Sequence, residues 1–315
     1  MIHRLVGGLV GVLLLLTACG DPAPAPRSGP LDDAPDTSVV YPLTVETSAG
    51  TITLDDRPER IVSLSPTATE MLFAVGAGHQ VVAVDDQSTY PEDAPRTDLS
   101  GYEPNIEAIA SYEPDIVVYS TEPGDLGSSL EGLGIPALLQ PAASTLRDVY
   151  GQIEQLGLVT DHLSESRELI DRMKDDIRAI TADVDTTTAL TFYHELDDTY
   201  YSVTSSTFIG KLYSMVGLEN IADRAKGAGG GYPQLSAEYI IDADPDLIFL
   251  ADTKCCGQSP ATVARRPGWD RIEAVEQGGV IPLDDDVASR WGPRIVDYLR
   301  VIARSVARVA EDEAA

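Results

Sequence analysis

Apolar and polar positions along the chain follow two periods that take turns. Short apolar runs at 60–64, 81–84, 116–119, 136–139, 189–193 and 247–251 have the length and bounding turn residues of buried strands. Between them, apolar residues recur at helical spacing over 70–75, 106–112, 126–133, 208–215 and 237–243. The first of these helices has Thr67 or Thr69 as its expected cap, and Gly76-Ala-Gly78 stops it. Residues 43–54 alternate around Ser48-Ala-Gly50 as a hairpin does. Strand-helix alternation of this kind predicts an α/β protein with mostly parallel central sheets and helices on both faces.

One unit occurs twice. Asn105-Ile-Glu-Ala-Ile-Ala-Ser-Tyr-Glu-Pro-Asp-Ile-Val-Val118 returns as Leu235-Ser-Ala-Glu-Tyr-Ile-Ile-Asp-Ala-Asp-Pro-Asp-Leu-Ile248. In each copy a glutamate, Glu107 or Glu238, opens a short amphipathic helix, a Pro-Asp pair follows, and the next strand begins at the same offset. The repeat predicts two similar α/β lobes, 43–144 and 187–315, each with an acidic residue at an equivalent place. Between them, 145–186 is helical: Val149, Ile153, Leu156, Leu169, Ile170, Met173 and Ile177 keep a helical period, and 164–182 contains no Pro or Gly. A helix of that length is a rigid strut between lobes. A last amphipathic helix is expected over 294–310.

The start of the chain reads as targeting rather than fold. A short basic opening precedes an apolar run at 5–16 that is too short to span a bilayer stably. Leu16-Thr17-Ala18-Cys19 resembles a lipobox. Residues 1–18 are therefore expected to be a lipoprotein signal peptide and Cys19 the lipidated residue. The stretch 19–42, rich in Pro, Ala and Asp, is expected to be a flexible tether. Acyl chains would hold the protein on the outer face of the cytoplasmic membrane.

The formal charge of −29 over 315 residues argues against a nucleic-acid partner and against docking on anionic lipid through the protein surface. Cys255 and Cys256 are adjacent, so they close no loop; a vicinal disulfide and a pair of free thiols both remain open. Catalytic signatures are absent: there is no Gly-x-Ser-x-Gly elbow and no phosphate loop, and His194-Glu195 is followed by Asp at 198 where a zinc peptidase needs His. His79, His162 and His194 are dispersed and read as surface or rim residues, so neither a resident metal nor a cofactor is expected. No catalytic residue is assigned. What stands out is a set of aromatic and cationic residues in the predicted strand-to-helix loops: Tyr90, Tyr102, Tyr200, Tyr201, Tyr232 and Trp291, with Arg290 and Arg294. Open α/β sheets bind ligands outside the carboxyl ends of their strands, and aromatic faces there suit large flat molecules.

Five stretches, in order, carry a resemblance: Arg60-Ile-Val-Ser-Leu-Ser-Pro-Thr-Ala-Thr-Glu70, Asn105-Ile-Glu107, Glu113-Pro-Asp-Ile-Val117, Gly217-Leu-Glu-Asn-Ile221 and Arg290-Trp-Gly-Pro-Arg-Ile295. They are similar to the binding proteins that serve ABC importers for ferric siderophores, haem and cobalamin. That resemblance implies two Rossmann-like lobes joined by one long rigid helix, a ligand cleft between them and little closure on binding. It implies that Glu107 and Glu238 dock into arginine pockets of the permease, which works with its ATPase. It also implies that Tyr90, Tyr102, Tyr201, Tyr232 and Trp291 line the cleft, with Glu195 and Arg290 orienting the ligand's polar edge. The likeness to the cobalamin branch rests on Arg290 and on Tyr232 before Pro-Gln. A catecholate siderophore would want several Lys or Arg side chains in the cleft, so a corrinoid or a ferric hydroxamate is favoured, and the likeness to the cobalamin branch puts the corrinoid slightly ahead. A monomer that performs no covalent chemistry is expected. The competing readings are an exported hydrolase-like enzyme and a signalling lipoprotein with no transport role.

Overall fold

In the computed structural model, which describes residues 38–184 and 189–313, the apolar runs pair into two parallel sheets. The expected signal peptide, Cys19 and most of the tether lie outside the described residues. An antiparallel hairpin of β1 (Leu43–Thr47) and β2 (Gly50–Leu54) leads into the first lobe. There β3 (Ile61–Leu64), α1 (Pro66–Ala74), β4 (Val81–Val84), α2 (Ile106–Ala110), β5 (Ile116–Tyr119), α3 (Leu126–Gly132) and β6 (Ala137–Leu139) follow in sequence. The strand order is β4-β3-β5-β6 and every pairing is parallel. Helices α4 (Leu146–Val159) and α5 (Leu163–Ala182) come next.

The second lobe repeats this plan with β7 (Thr191–Glu195), α6 (Phe208–Ser214), β8 (Glu219–Asn220), α7 (Ala237–Ala243) and β9 (Leu247–Leu250). Short helices α8 (Pro260–Val263) and α9 (Glu273–Glu276), strand β10 (Val280–Pro282) and α10 (Asp285–Ala288) complete it. The order β8-β7-β9-β10 is again all parallel, so β3, β4, β5 and β6 correspond to β7, β8, β9 and β10. Helix α11 (Ile295–Glu313) ends the described chain.

Period-2 alternation within each buried strand decides what each sheet face covers. In β5, Ile116 and Val118 join a core shared by both lobes, while Val117 and Tyr119 face a separate cluster with Leu126 and Leu130 of α3. In β9, Leu247 and Phe249 join the shared core, and Ile248 and Leu250 pack with Trp269 on the far face. The shared core runs through Val149, Ile153 and Leu156 of α4, Ile170, Met173 and Ile177 of α5, and Leu299, Ile302 and Val306 of α11. One apolar cluster thus spans both lobes, and sliding one lobe past the other would break its packing. Gly157 allows α4 and α5 to meet: a Cβ there would collide with the Ser166 side chain and lie 2.8 Å from the His162 carbonyl oxygen.

Helix α1 starts one turn earlier than the sequence suggested. Its cap is Ser65, whose hydroxyl accepts from the Ala68 N–H at 3.3 Å, and Pro66 in the first turn has no N–H to satisfy. Thr67 and Thr69 are buried inside the helix instead.

Candidate functional site

The residues between β10 and α11 cross to the first lobe and meet a single buried carboxylate. Glu70 of α1 is 3% exposed. It accepts from Arg294 Nε at 2.8 Å and Arg290 Nη1 at 2.9 Å, and Arg294 Nη2 also reaches it. Arg290 Nη2 donates to the Gln87 carbonyl at 2.9 Å and to Asp286 Oδ1 at 2.8 Å. Trp291 Nε1 donates to Gln152 Oε1 of α4 at 2.8 Å. The chain passes Glu70 so closely that a Cβ on Gly292 would sit 3.2 Å from its Oε2. Two anions, Glu70 and Asp286, thereby neutralise two cations, Arg290 and Arg294, as buried charges require. The same layer holds the loop after β4: the Arg294 guanidinium lies 4.3 Å from the Tyr90 ring centroid, a cation–π distance. Close by, burial pushes the Asp85 carboxyl up to about 6, against the hydrogen bond it receives from Ser88.

A second buried charge group sits at the carboxyl ends of β7 and β9. Glu195 is fully buried, and both its oxygens accept from Arg266 at 2.6 Å. Arg266 lies over the Trp269 ring at 4.5 Å and faces Tyr200 at 5.4 Å. Asp252 is also fully buried, and neither of its oxygens accepts a hydrogen bond from an N–H or hydroxyl. Burial first, and the Glu195 carboxylate second, push the Asp252 carboxyl from 3.8 up to about 7. A proton on Asp252 shared with Glu195 relieves both causes. Below about pH 4 the unfolded carboxyl is protonated too, and nothing is lost. From there to about pH 7 the unfolded chain ionises while the folded one keeps its proton, so stability falls as pH rises; above that the whole cost is present. Asp252→Asn is therefore expected to raise stability at pH 8 by about 1–3 kcal/mol and to flatten the profile between pH 4 and 7. Urea melts across that range check this; an unchanged slope would remove the shared proton from the account.

Four of the expected cleft tyrosines are open to solvent: Tyr90 is 46%, Tyr102 73%, Tyr201 40% and Tyr232 54% exposed. The structure brings Tyr201 and Tyr232 together, because 200–204 and 231–235 form a short antiparallel ladder through Ser202 N to Pro233 O, Thr204 N to Gly231 O and Leu235 N to Tyr200 O. Tyr102 follows Gly101, which packs where the Leu64 carbonyl and Asp85 leave no room for a Cβ.

Three of the residues expected to face a ligand are bonded within the chain itself. Both oxygens of Glu195 accept from Arg266 in a buried pair. Arg290 is committed to Glu70, Asp286 and Gln87, with a side chain only 9% exposed. Trp291 is half-buried against the shared core, with its indole N–H already used. His194 is likewise no rim residue: it is fully buried, its Nδ1 pairs with the Tyr213 hydroxyl at 2.8 Å, and burial lowers its pKa to about 3. Sequence reasoning missed Glu70, Arg266 and Asp252. A lone charge among the apolar residues of α1 was the available signal for Glu70, because a buried charge demands a partner.

Cys255 and Cys256 are exposed neighbours whose sulfurs lie 2.6 Å apart. The loop's shape is set by Asp285, which accepts from the N–H groups of Thr253, Lys254 and Cys255. Among the described residues no group of three or more His, Cys, Asp or Glu is placed to hold a metal ion. Glu107 and Glu238 are exposed in the first turns of α2 and α7, capped by Asn105 and Ser236, and neither has an ion-pair partner among the described residues.

Two lobes of matching topology, sharing a core and carrying aromatic loops at their strands' carboxyl ends, define a bilobal α/β binding fold. Residues 61–287 match the family described as Periplasmic binding protein, and the chain belongs to that family. It is 28% identical over 304 residues to YvrC of Bacillus subtilis (strain 168), an uncharacterized ABC transporter substrate-binding lipoprotein, covering 93% of each chain. It is 29% identical over 309 residues to a cobalamin-binding protein of Halobacterium salinarum (strain ATCC 29341 / DSM 671 / R1), covering 94% of this chain and 82% of that one. Among solved structures, a possible iron-binding (periplasmic solute-binding) protein of Staphylococcus epidermidis superposes with a TM-score of 0.69 at 25% identity, over 80% of this chain and 99% of the other.

Proposed function

We propose that the protein is an extracytoplasmic receptor of an ABC importer, tethered by lipid at Cys19. It captures a large metal chelate of low net charge between its lobes and delivers it to the permease. A corrinoid fits better than a ferric hydroxamate. Support for the importer comes from the relatives, one named as an ABC transporter substrate-binding lipoprotein and one as a cobalamin-binding protein. The observation that carries the ligand class is the charge census at the strand ends. Arg266 is committed to Glu195, Arg290 and Arg294 to Glu70, and Lys254 to Asp284 and Asp286. An anionic catecholate would have to strip a cation from a carboxylate already bonded to it, and would leave that carboxylate unpaired. The exposed rings of Tyr90, Tyr102, Tyr201 and Tyr232 offer stacking surface that needs no charge on the ligand.

The test is a titration of the soluble fragment, residues 38–315, with cyanocobalamin, a ferric hydroxamate and a ferric tris-catecholate. Ligand absorbance and quenching of Trp269 and Trp291 report binding. Cobalamin is expected to bind at least about tenfold more tightly than the hydroxamate, which corresponds to about 1.4 kcal/mol. The catecholate is expected not to bind, and the bound ligand should be recovered chemically intact. Preferential capture of the catecholate would overturn the ligand class, and a chemically altered ligand would overturn the receptor reading.

A further inference from the structure

Each lobe carries a pocket beside its exposed glutamate, and the two pockets are built on the same plan. In the first lobe a cavity of about 430 Å³ is lined by Ala108, Ser111 and Tyr112, which lie one, four and five residues after Glu107, together with Arg96. In the second lobe a cavity of about 270 Å³ is lined by Tyr239, Asp242 and Ala243, at the same three offsets from Glu238, together with Arg224. The facing wall is supplied by residues 97–99, in the loop after β4, in one lobe and by Glu219 to Ile221, in and just after β8, in the other. The lining residues differ at every helix offset, so the hollow recurs while its side chains do not. Each pocket keeps one tyrosine, supplied from the fifth offset in one lobe and the first in the other.

We infer that these pockets are the receiving half of the docking surface: each accepts an uncharged side chain of the permease, next to the cation that pairs with Glu107 or Glu238. This rests on the reading of the two glutamates as docking residues. Two equivalent hollows on two equivalent lobes suit a partner that presents one loop twice, as a two-fold dimer does. Charge fixes the chemistry of the occupant. Arg96 and Asp98 offset each other in the first pocket, while Arg224 faces Glu219 and Asp242 in the second. With the flanking glutamate added, both sites are net negative, so the partner's acidic side chains are repelled and a cation with an uncharged neighbour is favoured. A point charge alone leaves rotation about the contact free; a side chain seated a turn away fixes register.

A photo-cross-linking amino acid placed singly at Glu107, Glu238, Ser111 and Asp242, with exposed Arg178 of α5 as control, tests this in cells that carry the permease. All four docking-face positions are expected to capture the same polytopic membrane subunit, identified by mass, and Arg178 none. Filling the pockets with Ala108→Phe and Ala243→Phe should cut capture from the glutamate positions at least about tenfold. Should those variants fold poorly, Ser111→Lys and Asp242→Lys place a cation at exposed pocket residues and should cut capture to the same degree. Capture from the glutamates but not from Ser111 and Asp242, or undiminished capture with filled or charged pockets, overturns the inference and leaves the docking glutamates standing. Capture from none of the four positions overturns both.

Discussion

Glu70→Ala is expected to cost the folded protein about 3–5 kcal/mol, the range for breaking a buried ion pair by removing one partner. The loss is large because one carboxylate serves two guanidinium groups that have little water to turn to. Arg290 keeps Asp286 and the Gln87 carbonyl, but Arg294 is left with only the face of Tyr90. Glu70→Gln retains an acceptor oxygen and loses the charge, so it should fall between alanine and wild type. Removing the stranded cation as well is expected to recover part of the cost: Glu70→Ala with Arg294→Ala should be less destabilised than the sum of the single changes by about 1 kcal/mol or more. Urea unfolding of the four proteins reads this directly. Additive single effects below about 1 kcal/mol would mean that the layer is solvated and holds nothing. The consequence for binding follows from position. The residues that lose their anchor join the loop carrying Tyr90 to the segment before α11, the two sides from which a ligand between the lobes would be held.

What the sequence made legible, and what it hid, divides along the range of the interaction. The alternation in β5 and β9 and the helical period of α5 are written within a few residues of each other, and so is the repeated helix that places Glu107 and Glu238. Local pattern was enough for the two-lobe architecture because each strand and helix reports its own buried face. The start of α1 is local too, and there Pro66 in the first turn and Ser65 before it outweigh the threonines behind them. Glu70 and Arg294 stand 224 residues apart, and Glu195 and Arg266 stand 71 apart. No periodicity links such pairs. The sequence showed which residues belong to strand-end loops, but a guanidinium there looks the same whether it waits for a ligand or is bonded to a buried carboxylate. Arg290 and Glu195 are of this kind, each bonded to a distant charge of its own chain. The exposed tyrosines, which have no charge to be neutralised from afar, keep the positions that their loops suggested.

Replacing Glu107 and Glu238 together by alanine is expected to abolish delivery while leaving capture untouched. Both side chains are exposed, and nothing in the described chain is bonded to them, so the change in stability should stay within about 0.5 kcal/mol. Ligand affinity should not change, because neither residue belongs to the strand-end loops. Against a permease the situation reverses, since each glutamate would be desolvated against a cation on the partner. Losing about 1.4 kcal/mol at each site lowers docking about tenfold for one substitution and about a hundredfold for two. Added salt should weaken the wild-type encounter and have little further effect on the double variant, because screening acts on charges that the variant no longer has. Uptake of the bound chelate by cells carrying each variant, set beside affinity measured on purified protein, separates the two functions. Wild-type uptake by the double variant would show that the repeated glutamates serve only their own helices, through the macrodipole of the first turn.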